Sequence, residues 1–132
     1  QGMYLTDSWY WNQSPEARTW ARRFFEKFKR MPSSVQAADY SAALQYLQAV
    51  KAVNSDDAEK VLAHMKKAKF NDIFMKGGYV RADNRVIHDM YLMQVKAPDK
   101  STEPWDYYNV VQVMKGEEAW TTKAESKCPL WK

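Results

Sequence analysis

Gly77-Gly78-Tyr79-Val80-Arg81-Ala82-Asp83-Asn84-Arg85-Val86-Ile87-His88-Asp89-Met90-Tyr91-Leu92-Met93-Gln94-Val95 is where the hydrophobic period of this chain changes. Upstream of it apolar residues recur at helical spacing. From Val86 to Val95 they alternate as in a strand. Asp83-Asn84 between two such runs predicts a hairpin turn. Met90 and Leu92 fall on one face, and Ile87, Tyr91, Met93 and Val95 on the other. A strand apolar on both faces is expected to be covered on both sides. Helices followed by paired strands make this an α/β chain.

Working back from the hairpin, three helices follow one another. The first is expected from Pro15 to about Arg30. Ser14 caps its free amides, Pro15 suits the first helical position and Glu16 faces the positive dipole end. Met31-Pro32-Ser33-Ser34 breaks it. The second is expected from about Ala37 to Val53. Ala42, Ala43, Leu44, Tyr46, Leu47, Ala49, Val50 and Val53 give it a broad apolar face, predicting a well-buried helix. After Asn54-Ser55-Asp56-Asp57 the third runs to about Lys69, with Val61, Leu62, Met65 and Ala68 inward. Residues 3–9 read as a short strand. Residues 97–105 form a polar connection, and Asp106 to Met114 reads as a further strand.

Composition narrows the function classes. The chain has 132 residues, 45% hydrophobic and 27% charged, about one ordinary domain. Its 6 Trp, 8 Tyr and 5 Phe exclude disorder, and no apolar run is long enough to span a membrane. A single cysteine excludes an internal disulfide framework and a cysteine-based zinc site. The start, Gln1-Gly2-Met3-Tyr4, has no signal-peptide pattern and no initiator Met, so the chain reads as a processed product or part of something longer. The net charge of +4 sits on the first helix, which carries Arg18, Arg22, Arg23, Lys27, Lys29 and Arg30 against Glu16 and Glu26. Trp20, Phe24 and Phe28 recur every four residues apart from these charges. That pattern suits a solvated basic face over a packed stripe better than a nucleic-acid surface.

No catalytic or metal motif is present. His64 and His88 lie on different elements, outside any metal-ligand spacing, and His64 falls off the apolar stripe of its helix, predicting exposure. Gly77-Gly78 lacks the Lys-Ser/Thr of a phosphate loop, and no nucleophile elbow occurs. Asp56-Asp57 and Glu117-Glu118 read as caps or solvated charge. Cys128 has no local base. In an exported protein it would be expected to pair with a cysteine elsewhere in a longer chain. The expectation is a non-enzyme without cofactor or metal. The unusual stretch is Ser8-Trp9-Tyr10-Trp11-Asn12. Three successive large aromatics are not expected to face one core, and amphipathic rings are economical for gripping a small ligand.

The succession Gly2-Met3-Tyr4-Leu5-Thr6-Asp7-Ser8-Trp9-Tyr10-Trp11, Met31-Pro32, Ala37-Ala38-Asp39-Tyr40-Ser41-Ala42, Asp56-Asp57-Ala58, Val86-Ile87-His88-Asp89-Met90-Tyr91-Leu92, Trp105-Asp106-Tyr107-Tyr108 and Cys128-Pro129-Leu130 resembles the C-terminal third of type I periplasmic substrate-binding proteins of ATP-driven (ABC) uptake transporters. The likeness is to the branched-chain amino acid, or Leu/Ile/Val-binding, branch and covers nearly the whole chain in order. It implies the C-terminal segment of a two-lobed fold, each lobe a helix-covered, mostly parallel sheet with the ligand between lobes. Residues 1–12 would be an inter-lobe crossing strand, 13–86 the helical part of one lobe, and 87–132 the strands returning to the other. Crossings would fall near Thr6–Trp11 and Ile87–Tyr91.

By position, Ser8, Tyr10 and Trp11 would border the cleft, and Ala37 to Tyr40 would approach it from the other lobe. Members of the family often carry a bulky aromatic near Ala37 and Asp where Asn12 stands. The resemblance implies a small carboxylate ligand, a branched-chain amino acid or an aromatic acid, and a small residue at Ala37 opposite three aromatics points to one larger or flatter than leucine, an aromatic carboxylate. The implied partners are that ligand and a membrane permease, in the periplasm, with no nucleic acid. An isolated segment of such a fold exposes apolar faces and strand edges and is expected to self-associate. The alternative function is a ligand-sensing receptor or regulatory domain of the same fold.

Overall fold

The computed structural model describes residues 1–129 and 131. Leu130, the end of the Cys128-Pro129-Leu130 match, lies outside the described residues. Among these residues no helix is long and apolar enough to cross a membrane.

Strand β1 (Tyr4–Asp7) leads through residues 8–14 into three helices, α1 (Pro15–Phe28), α2 (Ser34–Val53) and α3 (Ala58–Met65). Strands β2 (Phe70–Asn71), β3 (Lys76–Val80) and β4 (Val86–Ile87) follow, then β5 (Met90–Val95), β6 (Tyr108–Met114) and the short helix α4 (Gly116–Ala119). One antiparallel sheet has the order β1-β5-β6 and another the order β2-β3-β4. The chain thus leaves the first sheet after β1, builds the helices and the second sheet, and returns at β5. The two connecting passages are residues 8–13 and His88-Asp89.

Local chemistry explains these boundaries. At α1, the Ser14 hydroxyl accepts from Ala17 N at 3.1 Å, with Pro15 at the first position. Lys29, at φ 56°, closes the helix with its N–H on the Phe25 carbonyl. The basic side chains of α1 are all exposed. Trp20 is buried and Phe24 half-buried, whereas Phe28 is exposed, stacked 4.4 Å from Phe24. Helix α2 starts three residues before the expected Ala37, because Ser33 N donates to Gln36 Oε1 at 2.7 Å in a capping box.

The expected burial of α2 does not hold. Its buried residues are Ala37, Ser41, Gln45 and Ala49, while Ala42, Ala43, Tyr46 and Leu47 are exposed. The buried stripe follows a carboxylate instead: Asp72 accepts from Ser41 Oγ at 2.6 Å and Gln45 Nε2 at 2.7 Å. The same carboxylate takes the Phe74 and Met75 amides at 2.8 and 3.1 Å, which shapes the β2–β3 connection. Helix α3 stops at Met65, short of Lys69; Val61 is buried, Leu62 is exposed and His64 is half-buried rather than exposed.

The hairpin turn lies where expected. Tyr79 pairs with Ile87 and Val80 with Val86, around a loop in which Arg81 N bonds the Arg85 carbonyl and Asn84 takes φ 65°. Arg81 grips Asp83 through two bonds of 2.9 and 2.8 Å and holds its carboxyl down at about 2. Val86 to Val95 is not one strand, however. It breaks at His88-Asp89, and its halves enter different sheets. The Trp120 indole N–H bonds the His88 carbonyl at 2.9 Å, and Asp89 accepts from Gly116 N and Lys115 Nζ at 3.0 and 2.9 Å. A side chain could not replace Gly116 in this approach, since a Cβ would lie 2.8 Å from Ile87 Cγ2.

Candidate site at the first crossing

The stretch Trp9-Tyr10-Trp11 is the best-buried part of the molecule. The three rings are 2%, 6% and 2% exposed and belong to one core cluster with Trp20, Met31, Phe74 and Met93. The expectation that three successive aromatics cannot share a core is therefore corrected. The chain turns sharply after β1, with Gln13 N on the Tyr10 carbonyl and Tyr10 N on Gln13 Oε1, and this fans the rings into different parts of one core. Each polar ring atom then finds a partner, as buried Trp and Tyr require. Trp9 Nε1 donates to the Ile73 carbonyl at 2.8 Å and Trp11 Nε1 to the Trp105 carbonyl at 2.8 Å. The Tyr10 hydroxyl lies 3.2 Å from the Trp105 carbonyl and 3.3 Å from Asp106 Oδ1.

Asp106 is the ionic centre of this arrangement and is 1% exposed. Lys96 Nζ reaches both its oxygens at 2.7 Å. Asn12 Nδ2 donates to Oδ1 at 3.2 Å, and the Thr102 amide and hydroxyl donate to Oδ2 at 3.1 Å. Burial pushes this carboxyl up, but the Lys96, Thr102 and Asn12 bonds outweigh it and hold it below the usual carboxylate range. Burial, with the Asp106 charge adding to it, raises the Tyr10 phenol to about 12. Asn12 is in turn fixed by Arg18 Nε at 2.6 Å.

Beside this cluster a recess of about 230 Å³ opens between the end of β1, residues 31–34 ahead of α2, and residues 105–108 ahead of β6. Its aromatic wall includes Tyr10, Trp11, Trp105 and Tyr108, and Asp7, Ser33 and Ser34 supply polar groups. Such a concave, mostly aromatic surface with few polar groups suits a small organic ligand. Among the described residues no three His, Cys, Asp or Glu side chains gather as a metal-ligand set.

The sequence-predicted site residues are only partly brought together. Tyr10 and Trp11 share the recess wall. Ser8 is half-buried next to it, its amide on Asp7 Oδ1 at 2.7 Å. Ala37 is fully buried, with no exposed surface, in the same core cluster. Tyr40 is 41% exposed and packs 5.1 Å from Trp20 beside a separate recess formed with Pro15, Arg23 and Ile73. Sequence reasoning missed Trp105, Asp106 and Tyr108 as site residues. The signal available was a second aromatic cluster, Trp105-Asp106-Tyr107-Tyr108, at the end of the stretch read as a polar connection.

Comparison with known proteins gives this geometry its context. A family model described as periplasmic binding protein matches residues 1–102. A periplasmic binding protein from Burkholderia mallei is 57% identical with a TM-score of 0.96; the match covers 100% of this chain and 35% of that one. A branched chain amino acid ABC transporter periplasmic ligand-binding protein from Burkholderia xenovorans is 42% identical, also with a TM-score of 0.96 and coverage of 100% and 35%. An ABC-type branched-chain amino acid transporter protein from Rhodopseudomonas palustris shares the fold at 24% identity and a TM-score of 0.70, over 89% of this chain and 32% of that one. No match is found among curated proteins. The chain therefore spans about a third of the length of the solved structures it matches. With its α/β architecture and the matched residues 1–102, it belongs to the periplasmic binding protein family.

Proposed function

We propose that these 132 residues are the C-terminal part of the solute-binding component of an ABC-type uptake transporter. It acts in the periplasm as part of a longer exported chain and works by non-covalent capture, not catalysis. In this reading residues 1–12 cross between two lobes, 13–86 form the helical part of one, and 87–132 return to the other. The ligand is a small carboxylate, a branched-chain amino acid or, as the aromatic recess favours, an aromatic acid, held between lobes and presented to a membrane permease when they close. Tyr10 and Trp11, with Ser8 beside them, border it on one side, and the segment that opens α2 on the other, without Tyr40, which lies beside a separate recess. Because Ala37 is fully buried, the α2 side meets the recess through Ser33 and Ser34. The observation supporting this reading is the aromatic recess at the first of the two passages between the sheets.

Tryptophan fluorescence of the full-length protein tests it. Saturable quenching by benzoate or L-phenylalanine, with none by L-leucine, is the expected result. Saturation by leucine alone would overturn the aromatic-ligand assignment, and silence towards all three would overturn the solute class. The isolated 132-residue chain is expected to self-associate through the exposed faces carrying Tyr46 and Leu47 on α2 and Val111 and Val113 on β6. Light scattering that gives a monomer mass at millimolar concentration would contradict this.

A further inference from the structure

The geometry points to Asp106 as the positioning residue of the aromatic ligand wall. This inference rests on the solute-binding reading for its consequence, but not for its geometry. The carboxylate does not line the recess and is sealed from solvent. It reaches the wall by two routes. One is direct, from Oδ1 to the Tyr10 hydroxyl, whose oxygen also receives the Tyr108 amide at 3.4 Å. The other runs through the backbone: the Thr102 amide and hydroxyl on Oδ2 close residues 102–106 into a tight loop, with Asp106 N on the Glu103 carbonyl at 3.1 Å. That loop holds Trp105 at φ 66°, a conformation a tryptophan rarely adopts. So held, the Trp105 carbonyl serves both the Trp11 indole and the Tyr10 hydroxyl.

Trp11, Tyr10 and Tyr108 therefore share anchors that lead back to one carboxylate. Lys96, at the end of β5, neutralises that carboxylate from the sheet side, and Asn12 ties it to the first crossing. Asp106 thus fixes how the crossing segment meets the strands of the returning part. A wall built of separately packed rings would have needed no such common anchor.

The test uses the full-length protein labelled with ¹⁵N-tryptophan, the Trp11 indole signal being assigned by Trp11→Phe. Asp106→Asn is expected to shift the Trp11 indole N–H resonance, speed its solvent exchange and weaken benzoate or L-phenylalanine binding about 10-fold. Tyr10→Phe removes the hydroxyl's contacts with Asp106, the Trp105 carbonyl and the Tyr108 amide but leaves the Lys96 pair and the Thr102 loop intact, so it stays interpretable if Asp106→Asn does not fold. It is expected to weaken binding several-fold, and the two changes combined should cost less than their product. An unmoved indole signal with unchanged affinity in folded Asp106→Asn, or in Tyr10→Phe if that alone folds, would overturn the inference. If the wild type binds neither probe, the aromatic-ligand assignment fails on its own, and the indole signal alone decides the positioning role.

Discussion

Replacing Trp9 by alanine is expected to cost about 3–5 kcal/mol of stability, among the largest effects of any single truncation in the chain. Trp9 is 2% exposed and ties the segment after β1 to α1 and to the β2–β3 connection. Its ring meets Trp20 of α1 edge-on at 5.7 Å and 88°, and its indole N–H satisfies the Ile73 carbonyl before β3. Truncation removes the packing, leaves a cavity the size of an indole, and orphans that carbonyl. Trp9→Phe separates these effects. It keeps most of the ring but not the N–H, and is expected to cost about 1–3 kcal/mol. Urea unfolding checks both through the midpoint at unchanged slope. A loss below about 1 kcal/mol for Trp9→Ala would mean that the crossing segment is not the organiser of the core.

The same segment shows what could be read from sequence. Ser14-Pro15-Glu16 announced α1 because a cap, a fixed φ and a dipole are local effects confined to four residues. Asp83-Asn84 announced the hairpin for a similar reason. The Ser33–Gln36 box was equally local and could have placed the start of α2. The burial of α2 was not local. Ser41 and Gln45 face inward because of a carboxylate at Asp72, about thirty residues downstream, and no periodicity of apolar residues encodes that partner. The break at His88-Asp89 likewise depends on Lys115, Gly116 and Trp120. At the site, Tyr10 and Trp11 were legible as unusual, but their anchors at Trp105 and Asp106 lie more than ninety positions away.

Lys96→Met is the second change expected to be severe, at about 3–5 kcal/mol near neutral pH. The side chains of Lys96 and Asp106 are 14% and 1% exposed, so methionine keeps the aliphatic stem but leaves a carboxylate buried without its counter-charge. The pH dependence identifies the cause. Asp106 is held below the ordinary carboxylate value, so its folded-state interactions contribute fully above an unfolded pKa of about 3.9. That contribution is lost as pH falls through the lower folded value. The stability gap between wild type and Lys96→Met should therefore be widest at pH 6–8 and narrow progressively below about pH 4. A gap independent of pH would instead indicate lost packing of the lysine stem. Neutralising the partner should also close the gap, because Asp106→Asn in the Lys96→Met background removes the uncompensated charge while its one amide oxygen still accepts from Thr102. Lys115→Met provides the comparison. Lys115 is 69% exposed where it meets Asp89, and water screens that pair so well that its loss should be small at every pH. If the two lysine variants behaved alike, the Lys96–Asp106 pair would be ordinary surface charge, and the first crossing would have to be held by its aromatic packing alone.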